Sequence, residues 1–276
     1  MGLPTIPIIA TEVLKITREN RISVNQLVVV IEKDPSMGMK LLKVANSAFY
    51  GIREKVDSLR RAVVILGFKE LSSLVTGISI IKAFAQNDEA GIEWKKFWEH
   101  CAATGHISEI ICGRLGIFLP AAPYTSGLLH DIGKLVLYRI DARSFLDSMR
   151  LAEQENYPPH IAEMEIFGIN HMDAGKWMAQ KWRLPAPIIH AIGYHHNLEE
   201  TLGSEYSGST ALIQFADFIT NLMGVNFGTQ FIPEEVAGWY ELQTQYASVD
   251  EVDLEELILE LKDQFKYISD MVKIVE

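Results

Sequence analysis

Apolar residues recur at helical spacing along nearly the whole chain, and polar turn residues separate the apolar segments. The strict alternation that marks a half-buried strand is hard to find. The clearest ambiguity is LVVVI at residues 27–31, which could pass for a strand. A capping-box pattern at Ser23 and Gln26 precedes it and Asp34–Pro35 follows it, so the pattern predicts a short helix. We therefore predict an all-α fold.

A polar, acidic segment divides this helical pattern. QNDEAG at residues 86–91 ends in glycine and is the best candidate domain boundary. We predict an N-terminal helical subdomain over residues 1–88. It is expected to pack on a helical bundle over residues 92–276, which includes a C-terminal helix.

The predicted C-terminal helix carries apolar residues at alternating spacings of four and three. They are Leu254, Ile258, Leu261, Phe265, Ile268 and Val272. This heptad seam could pair with a second helix, which leaves a homodimer open. The seam covers only a few turns, and its length favours packing on its own domain.

Composition and charge narrow the classes of function. The net charge is -11, from 25 basic and 36 acidic residues. Nucleic-acid binding usually needs a basic stripe, and none is present, so we expect no direct contact with DNA or RNA. The chain shows no secretory signal and no stretch apolar enough for a bilayer, so we predict a cytoplasmic protein with no membrane partner. Cys101 and Cys112 are predicted to be reduced core thiols.

The segment GLLHDIGKLVL, residues 127–137, places three polar side chains in an apolar context. Charged side chains are rarely buried unless they are paired or bind a metal. On a helix, Lys134 would share a face with His130, one turn further along. The nitrogen of His130 and an oxygen of Asp131 suit Fe, Mn, Zn or Ni. Lys134 could then hold a phosphate oxygen.

Further polar residues in apolar helices strengthen this interpretation. They are His100, His171, His195, His196 and Asp217. A helix bundle can direct such residues inward to build a metal site. Each has an ordinary alternative, such as a core histidine, a local pair for Asp217, or an exposed histidine pair at a helix end. The whole set favours a metal site, whereas His106, His160 and His190 are assigned structural roles.

The order of these residues resembles the HD superfamily of metal-dependent phosphohydrolases and, more specifically, the bacterial HDOD family, the HD-related output domain. The segments that carry the resemblance are DPSMGMKLLKVANSAFYG, AVVILGFKELSSLV, FWEH, GLLHDIGKLVL and HMDAGKWMAQKWRLPAPIIHAIGYHH. The resemblance implies an all-α fold. It also implies a role in bacterial signal transduction with protein partners, often without demonstrated catalysis.

The resemblance also implies roles for individual residues. Those that match metal ligands of the superfamily are His100, His130, Asp131, His171, His195, His196 and Asp217. His171, His195 and His196 correspond to the additional ligands of binuclear relatives, which hydrolyse cyclic dinucleotides. Lys134 matches the lysine of the HD-x-G-K segment and joins Asp131 as a catalytic candidate. The implied cofactor is one or two divalent transition metals.

Two departures from the relatives limit these expectations. NLEETLGSEYSGS follows the histidine pair, where cyclic-di-GMP phosphodiesterases have a GYP segment. This difference argues against hydrolysis of that dinucleotide. Lys96 stands one turn before His100, where some relatives have a carboxylate ligand. A lysine there would repel an extra cation, so we expect at most two metals.

Two functions compete on these grounds. The first is a signalling module of the HDOD type, a regulatory or interaction protein with a retained HD-type metal site. The N-terminal third, which contributes no obvious ligand, and the missing GYP segment favour it. The alternative is an active phosphohydrolase or phosphodiesterase acting on a phosphorylated or cyclic nucleotide substrate. The complete ligand set favours this alternative, and convergence of the ligand atoms on one point would support a bound metal.

Overall fold

The structure is a computed structural model. It describes residues 5–18, 23–46, 54–84, 92–119, 123–228, 236–250 and 252–262. These residues form helices and connecting turns, with no strand among them, so the predicted all-α class is confirmed for this part of the chain. The predicted boundary at residues 86–91 lies outside the described residues and stays a prediction. The same holds for the last three positions of the heptad seam, from Phe265 onward.

The chain divides into two compact units, and the described residues between 5 and 84 belong to the N-terminal one. Its helices are α1 (Ile8–Arg18), α2 (Val24–Glu32), α3 (Pro35–Ala45), α4 (Leu59–Leu66) and α5 (Phe68–Phe84). The LVVVI segment lies in α2, as predicted, and Ser23 Oγ accepts a hydrogen bond from the Gln26 amide at 3.2 Å. The Asp34 carboxylate accepts hydrogen bonds from the Ser36 and Met37 amides and caps the start of α3.

The N-terminal unit has its own apolar core. α1 packs along α5, and α2, α3 and α4 cover the rest of that helix. Val13, Ile31, Leu41 and Leu74 are at most 1% exposed. None of the seven predicted metal ligands lies in this unit, because all of them follow residue 99.

Among the described residues, no single helix combines the length and the apolar character needed to cross a bilayer. Two helices joined by a bend of 116°, Leu59–Leu66 and Phe68–Phe84, meet both criteria together.

The described residues from 92 to 262 form the second unit. Its helices are α6 (Trp94–Leu115), α7 (Pro123–Leu129), α8 (Ile132–Ile140), α9 (Ala142–Glu155), α10 (Pro159–Phe167), α11 (His171–Lys181), α12 (Ala186–Tyr194), α13 (Ser207–Leu222), α14 (Ala237–Gln245), α15 (Ala247–Asp250) and α16 (residues 254–262). The long helix α6 packs against α7 and α13, while α8 packs against α11. These pairs surround the interior in which the predicted ligands lie.

The HD motif lies in a turn, not inside one continuous helix as we expected from the sequence. Helix α7 ends at Leu129 and α8 begins at Ile132, so His130 and Asp131 connect them. The His130 ring donates from Nδ1 to the Gly127 carbonyl at 2.6 Å and is drawn toward the end of α7. Lys134 therefore pairs with Asp131, instead of lying below His130 on one helix face.

Gly133 allows α8 to touch α11. A Cβ atom at Gly133 would lie 1.7 Å from the carbonyl oxygen of His171 and 2.7 Å from the amide nitrogen of Gly175. Neither backbone atom can yield as a flexible side chain could. The backbones of the two helices therefore meet at this point, and the contact places Asp131 beside His171.

We predict that Gly133→Ala destabilises the protein, because the added methyl group must push α8 and α11 apart. The expected cost is about 2 kcal/mol or more, which corresponds to a loss of roughly 4–8 °C in Tm. Gly113→Ala is the matched control on α6, since its Cβ would meet nothing within 4 Å. It should stabilise the exposed helix position by up to about 1 kcal/mol. Equal melting temperatures for the two variants, measured by circular dichroism, would contradict the contact.

Candidate metal centre

The structure brings all seven predicted metal ligands together inside the second unit. They come from α6 (His100), the α7–α8 turn (His130 and Asp131), the first residue of α11 (His171), the turn after α12 (His195 and His196) and α13 (Asp217). Six of them are at most 7% exposed, and His196 is half-buried. Elements far apart in sequence thus deliver their side chains to one interior region.

Three of these ligands form one cluster, which we call the α6 group: His100, His130 and Asp217. The two Nε2 atoms of the histidines are 3.3 Å apart. Asp217 Oδ1 lies 3.1 Å from Nε2 of His100 and 3.8 Å from Nε2 of His130. Ligands bound at about 2.0–2.2 Å from one metal lie roughly 3–4.5 Å from each other, so these separations fit a common ion.

The other four form a second cluster, which we call the α11 group: Asp131, His171, His195 and His196. Nε2 of His171 lies 3.3 Å from Nε2 of His195. Asp131 Oδ1 is 3.3 Å from the first of these nitrogens and 3.7 Å from the second. The four donor atoms of the group all lie within 4.8 Å of one another. The α11 group thus offers a complete set of four ligands.

Asp131 connects the two groups through its two carboxylate oxygens. Oδ1 faces the α11 group and has no hydrogen-bond partner, although it is buried. Oδ2 faces the α6 group, at 3.6 Å from Nε2 of His100 and 3.5 Å from Nε2 of His130. The same Oδ2 accepts a hydrogen bond from the Lys134 ammonium at 2.5 Å. A buried carboxylate oxygen without a hydrogen bond costs free energy, and a metal ion coordinated by it would remove that cost.

Hydrogen bonds at Nδ1 fix the orientation of four histidines. His100 donates to the Val225 carbonyl at 2.8 Å, and His130 donates to the Gly127 carbonyl. His195 donates to the Ile192 carbonyl at 3.0 Å, and the Nδ1 of His171 donates to a carboxylate. A neutral imidazole then carries a lone pair at Nε2. The Nε2 atoms face each other in two pairs, His100 with His130 and His171 with His195, so a proton or a metal ion between the members of a pair would relieve the repulsion of their lone pairs.

The buried charges also favour a cation. Three carboxyl groups, Asp131, Glu163 and Asp217, are buried with a single ammonium, Lys134, among the described residues. Burial raises the pKa of Asp131, but Lys134 and nearby histidines lower it by more, so it lies well below its usual range. Burial likewise raises the pKa of Asp217, but the hydrogen bond from His100 brings it to about 2. The interior is therefore anionic, and a divalent ion would neutralise it.

The histidine protonation states agree with this arrangement. Burial lowers the pKa of His130 to about 3, and burial also lowers the pKa of His196 well below its ordinary value. Burial lowers the pKa of His100 as well, but Asp217 and Asp131 outweigh it and raise the pKa overall. His130 and His196 are thus neutral donors. The nitrogen and oxygen donor set suits Fe, Mn, Zn or Ni, as predicted from the residue types.

The sequence analysis missed Glu163. This α10 residue is 3% exposed, and its Oε2 accepts hydrogen bonds from His171 Nδ1 at 2.5 Å and from the His171 amide at 2.7 Å. A carboxylate behind a ligating histidine fixes the ring and makes its other nitrogen a stronger donor. The segment AEMEIF carries two glutamates two residues apart, and no spacing rule distinguishes the buried one.

A cavity of about 320 Å³ opens beside the two groups. Residues from both groups and from the surrounding helices line it: His100, Lys134, Pro158, Pro159, His160, His196, Gln214, Asp217, Phe218, Asn221, Phe227, Val236 and Ala237. The assignment of His160 to a purely structural role was incomplete. Its ring stacks on His196 with centroids 4.7 Å apart, and it forms part of the cavity wall. Pro158 and Pro159, which precede His160, form the start of α10 and also line the cavity.

The remaining candidates belong to neither of the two groups. His106 is buried against Tyr124, and burial lowers its pKa to about 3. His190 lies against Tyr206, with ring centroids 4.3 Å apart. Lys96 forms an exposed ion pair with Glu93 on the outside of α6. Cys101 and Cys112 are both buried free thiols.

Comparison with known proteins agrees with this fold. The sequence profile of the HDOD domain matches residues 3–198, most of the chain. The chain belongs to the HDOD family. An HDOD domain protein of unknown function from Geobacter sulfurreducens superposes with a TM-score of 0.82 at 23% identity, covering 100% of this chain and 94% of that one.

Two further relatives of this HDOD chain extend the comparison. A proposed phosphohydrolase from Shewanella amazonensis SB2B superposes with a TM-score of 0.75 at 22% identity, covering 99% of this chain and 95% of that one. These likenesses show the fold alone. An uncharacterized protein of Treponema pallidum is 24% identical over 244 residues, or 88% of this chain. The chain spans 47%, about half, of that relative's length.

We predict that Glu163→Gln weakens metal binding roughly 10–100-fold, because the neutral amide polarises His171 less than a carboxylate does. Glu165→Gln, which changes an exposed residue of the same helix, is the matched control and should leave the affinity unchanged. Isothermal titration of the metal-free protein with Mn²⁺ measures both affinities. An unchanged affinity in Glu163→Gln would show that this carboxylate does not support a bound metal.

Proposed function

We propose that this HDOD chain is a metal-dependent phosphohydrolase that acts on a small phosphorylated ligand. The observation that carries the proposal is the convergence of seven donors into two neighbouring groups, with Asp131 between them, that border an open cavity. The sequence patterns alone favour a regulatory module without turnover. The separations between the donor atoms fit bound metals, and they favour the phosphohydrolase over a module without turnover.

The residues divide the work between holding metals and orienting the site. The α6 group would hold one ion and the α11 group another, with one Asp131 oxygen directed at each. Such ions, when bound, supply Lewis acidity toward a phosphoryl oxygen and lower the pKa of water. Glu163 fixes the His171 ring, and backbone carbonyls fix His100, His130 and His195. Because Nδ1 is engaged in each ring, all four present Nε2 to the centre.

The cavity supports a small ligand. A volume of about 320 Å³ lies at the lower end of the range for small-molecule pockets. Phe218, Phe227 and Pro158 provide apolar surface, and the amide side chains of Gln214 and Asn221 provide polar contacts. We infer that the phosphate end of the ligand points to the metal groups and that the rest lies against this wall.

A second candidate function is regulation through metal-dependent binding to a protein partner, without turnover. The N-terminal unit favours it, since five helices build an apolar core there and supply no candidate ligand. An all-α unit whose described residues supply no candidate ligand is suited to contacts with another protein. The family's role in signal transduction agrees with this candidate, and the two functions are compatible in one chain.

The decisive test is hydrolysis by the purified, metal-loaded chain. Phosphomonoesters, bis(p-nitrophenyl) phosphate and cyclic dinucleotides are the substrates, and Mn²⁺, Fe²⁺, Zn²⁺ and Ni²⁺ are the metals. Asp131→Asn should lower kcat/KM by more than about a hundredfold, because losing even an outer partner of a ligand costs roughly 10–100-fold. Asp147→Asn, at an exposed ion pair on α9, is the control and should keep full activity.

Circular dichroism must show that both aspartate variants are folded. Turnover that survives in Asp131→Asn would contradict the assigned centre. A metal-loaded wild-type chain that hydrolyses none of the substrates would favour the regulatory function instead.

A further inference from the structure

We propose that Lys134 competes with a second metal ion for Asp131 Oδ2. The α11 group then holds one metal tightly, and the α6 group takes a second metal only when the Lys134 ammonium is displaced. This inference rests on the proposed metal centre and concerns the regulation of that same site. The observation behind it is the Lys134–Asp131 contact at 2.5 Å on the side of the carboxylate that faces the α6 group.

The two groups do not offer equal numbers of ligands. The α11 group has four donors, including Asp131 Oδ1, which has no other hydrogen-bond partner. The α6 group has three donors of its own. Its fourth would be Asp131 Oδ2, which lies 3.5 Å from Nε2 of His130. Four ligands are the common number for transition metals such as zinc, so the α6 group depends on this oxygen for completion.

Lys134 already uses that oxygen. Its ammonium is within charge-assisted hydrogen-bond distance of Oδ2, and the side chain is 8% exposed. A metal ion bound to the same oxygen would lie close to the ammonium, and the two positive charges would repel each other in a poorly solvated interior. The ammonium and the metal therefore compete, whereas Oδ1 on the opposite side remains open to the α11 group.

The outer partners of the histidines add to the difference. The Glu163 carboxylate supports His171 in the α11 group. Backbone carbonyls support both histidines of the α6 group, His100 and His130. A carboxylate partner raises the basicity of a ligating imidazole more than a neutral carbonyl does. Ligand number, Lys134 and Glu163 thus all favour the α11 group as the first to fill.

The test is a titration of the metal-free full chain with Mn²⁺. Isothermal titration calorimetry measures the binding, and electron paramagnetic resonance measures the Mn²⁺ that stays free. Wild type should bind one equivalent tightly and a second at least about tenfold more weakly. Lys134→Met removes the charge and keeps the length of the side chain. The affinity for the second Mn²⁺ equivalent should therefore rise at least about tenfold, which brings it closer to the affinity for the first. Lys181→Met, at an exposed lysine over Trp177, is the control and should match wild type.

Two results would overturn the competition. One is a wild-type chain that binds two equivalents with equal affinity, which decides the matter even if Lys134→Met fails to fold. The other is a folded Lys134→Met chain whose second equivalent binds no more tightly than in wild type. Either result accompanied by hydrolysis leaves the proposed function standing. The expected titration without any hydrolysis overturns the function alone, and a chain that binds no metal overturns both.

Discussion

The second unit is built around the buried carboxylate of Asp131. It is 1% exposed, and an ionised group at that depth is costly unless charges of opposite sign or strong donors surround it. Lys134 contacts one oxygen, and histidines from four different elements surround both. A buried anion of this kind constrains every helix that supplies one of its neighbours. The positions of α6, α8, α11 and α12 therefore follow from the environment that this carboxylate requires.

Helix ends provide most of that environment. His130 and Asp131 lie between two helices, His171 is the first residue of α11, and His195 follows the last residue of α12. Side chains at helix ends can turn into a bundle interior without disturbing a continuous helix. The start of α11 is held firmly, since Asn170, immediately before His171, and Asp173, two residues after it, form a reciprocal capping box. The ligand positions are thus set by backbone geometry, which favours a preorganised site.

The same carboxylate links structure to the proposed chemistry. Each oxygen belongs to a different donor group, so any change at Asp131 affects both at once. Lys134 affects both stability and the proposed function, because its ammonium stabilises the buried anion and also occupies an oxygen that a metal would use. All seven donor residues follow residue 99 in the chain and belong to the second unit.

The sequence by itself determined the all-α class, the helix starts at Ser23 and Asp34, and the seven residues that the structure gathers into two groups. These features depend on local spacing and on residue chemistry, which a sequence displays directly. Only the tertiary structure decided that His130 and Asp131 occupy a turn, that Glu163 supports His171, and that the donors divide into two groups. Those facts depend on contacts between helices far apart in the chain. Gly133 is an example: a glycine is required there because a Cβ atom would lie 1.7 Å from the carbonyl oxygen of His171, which is distant in sequence.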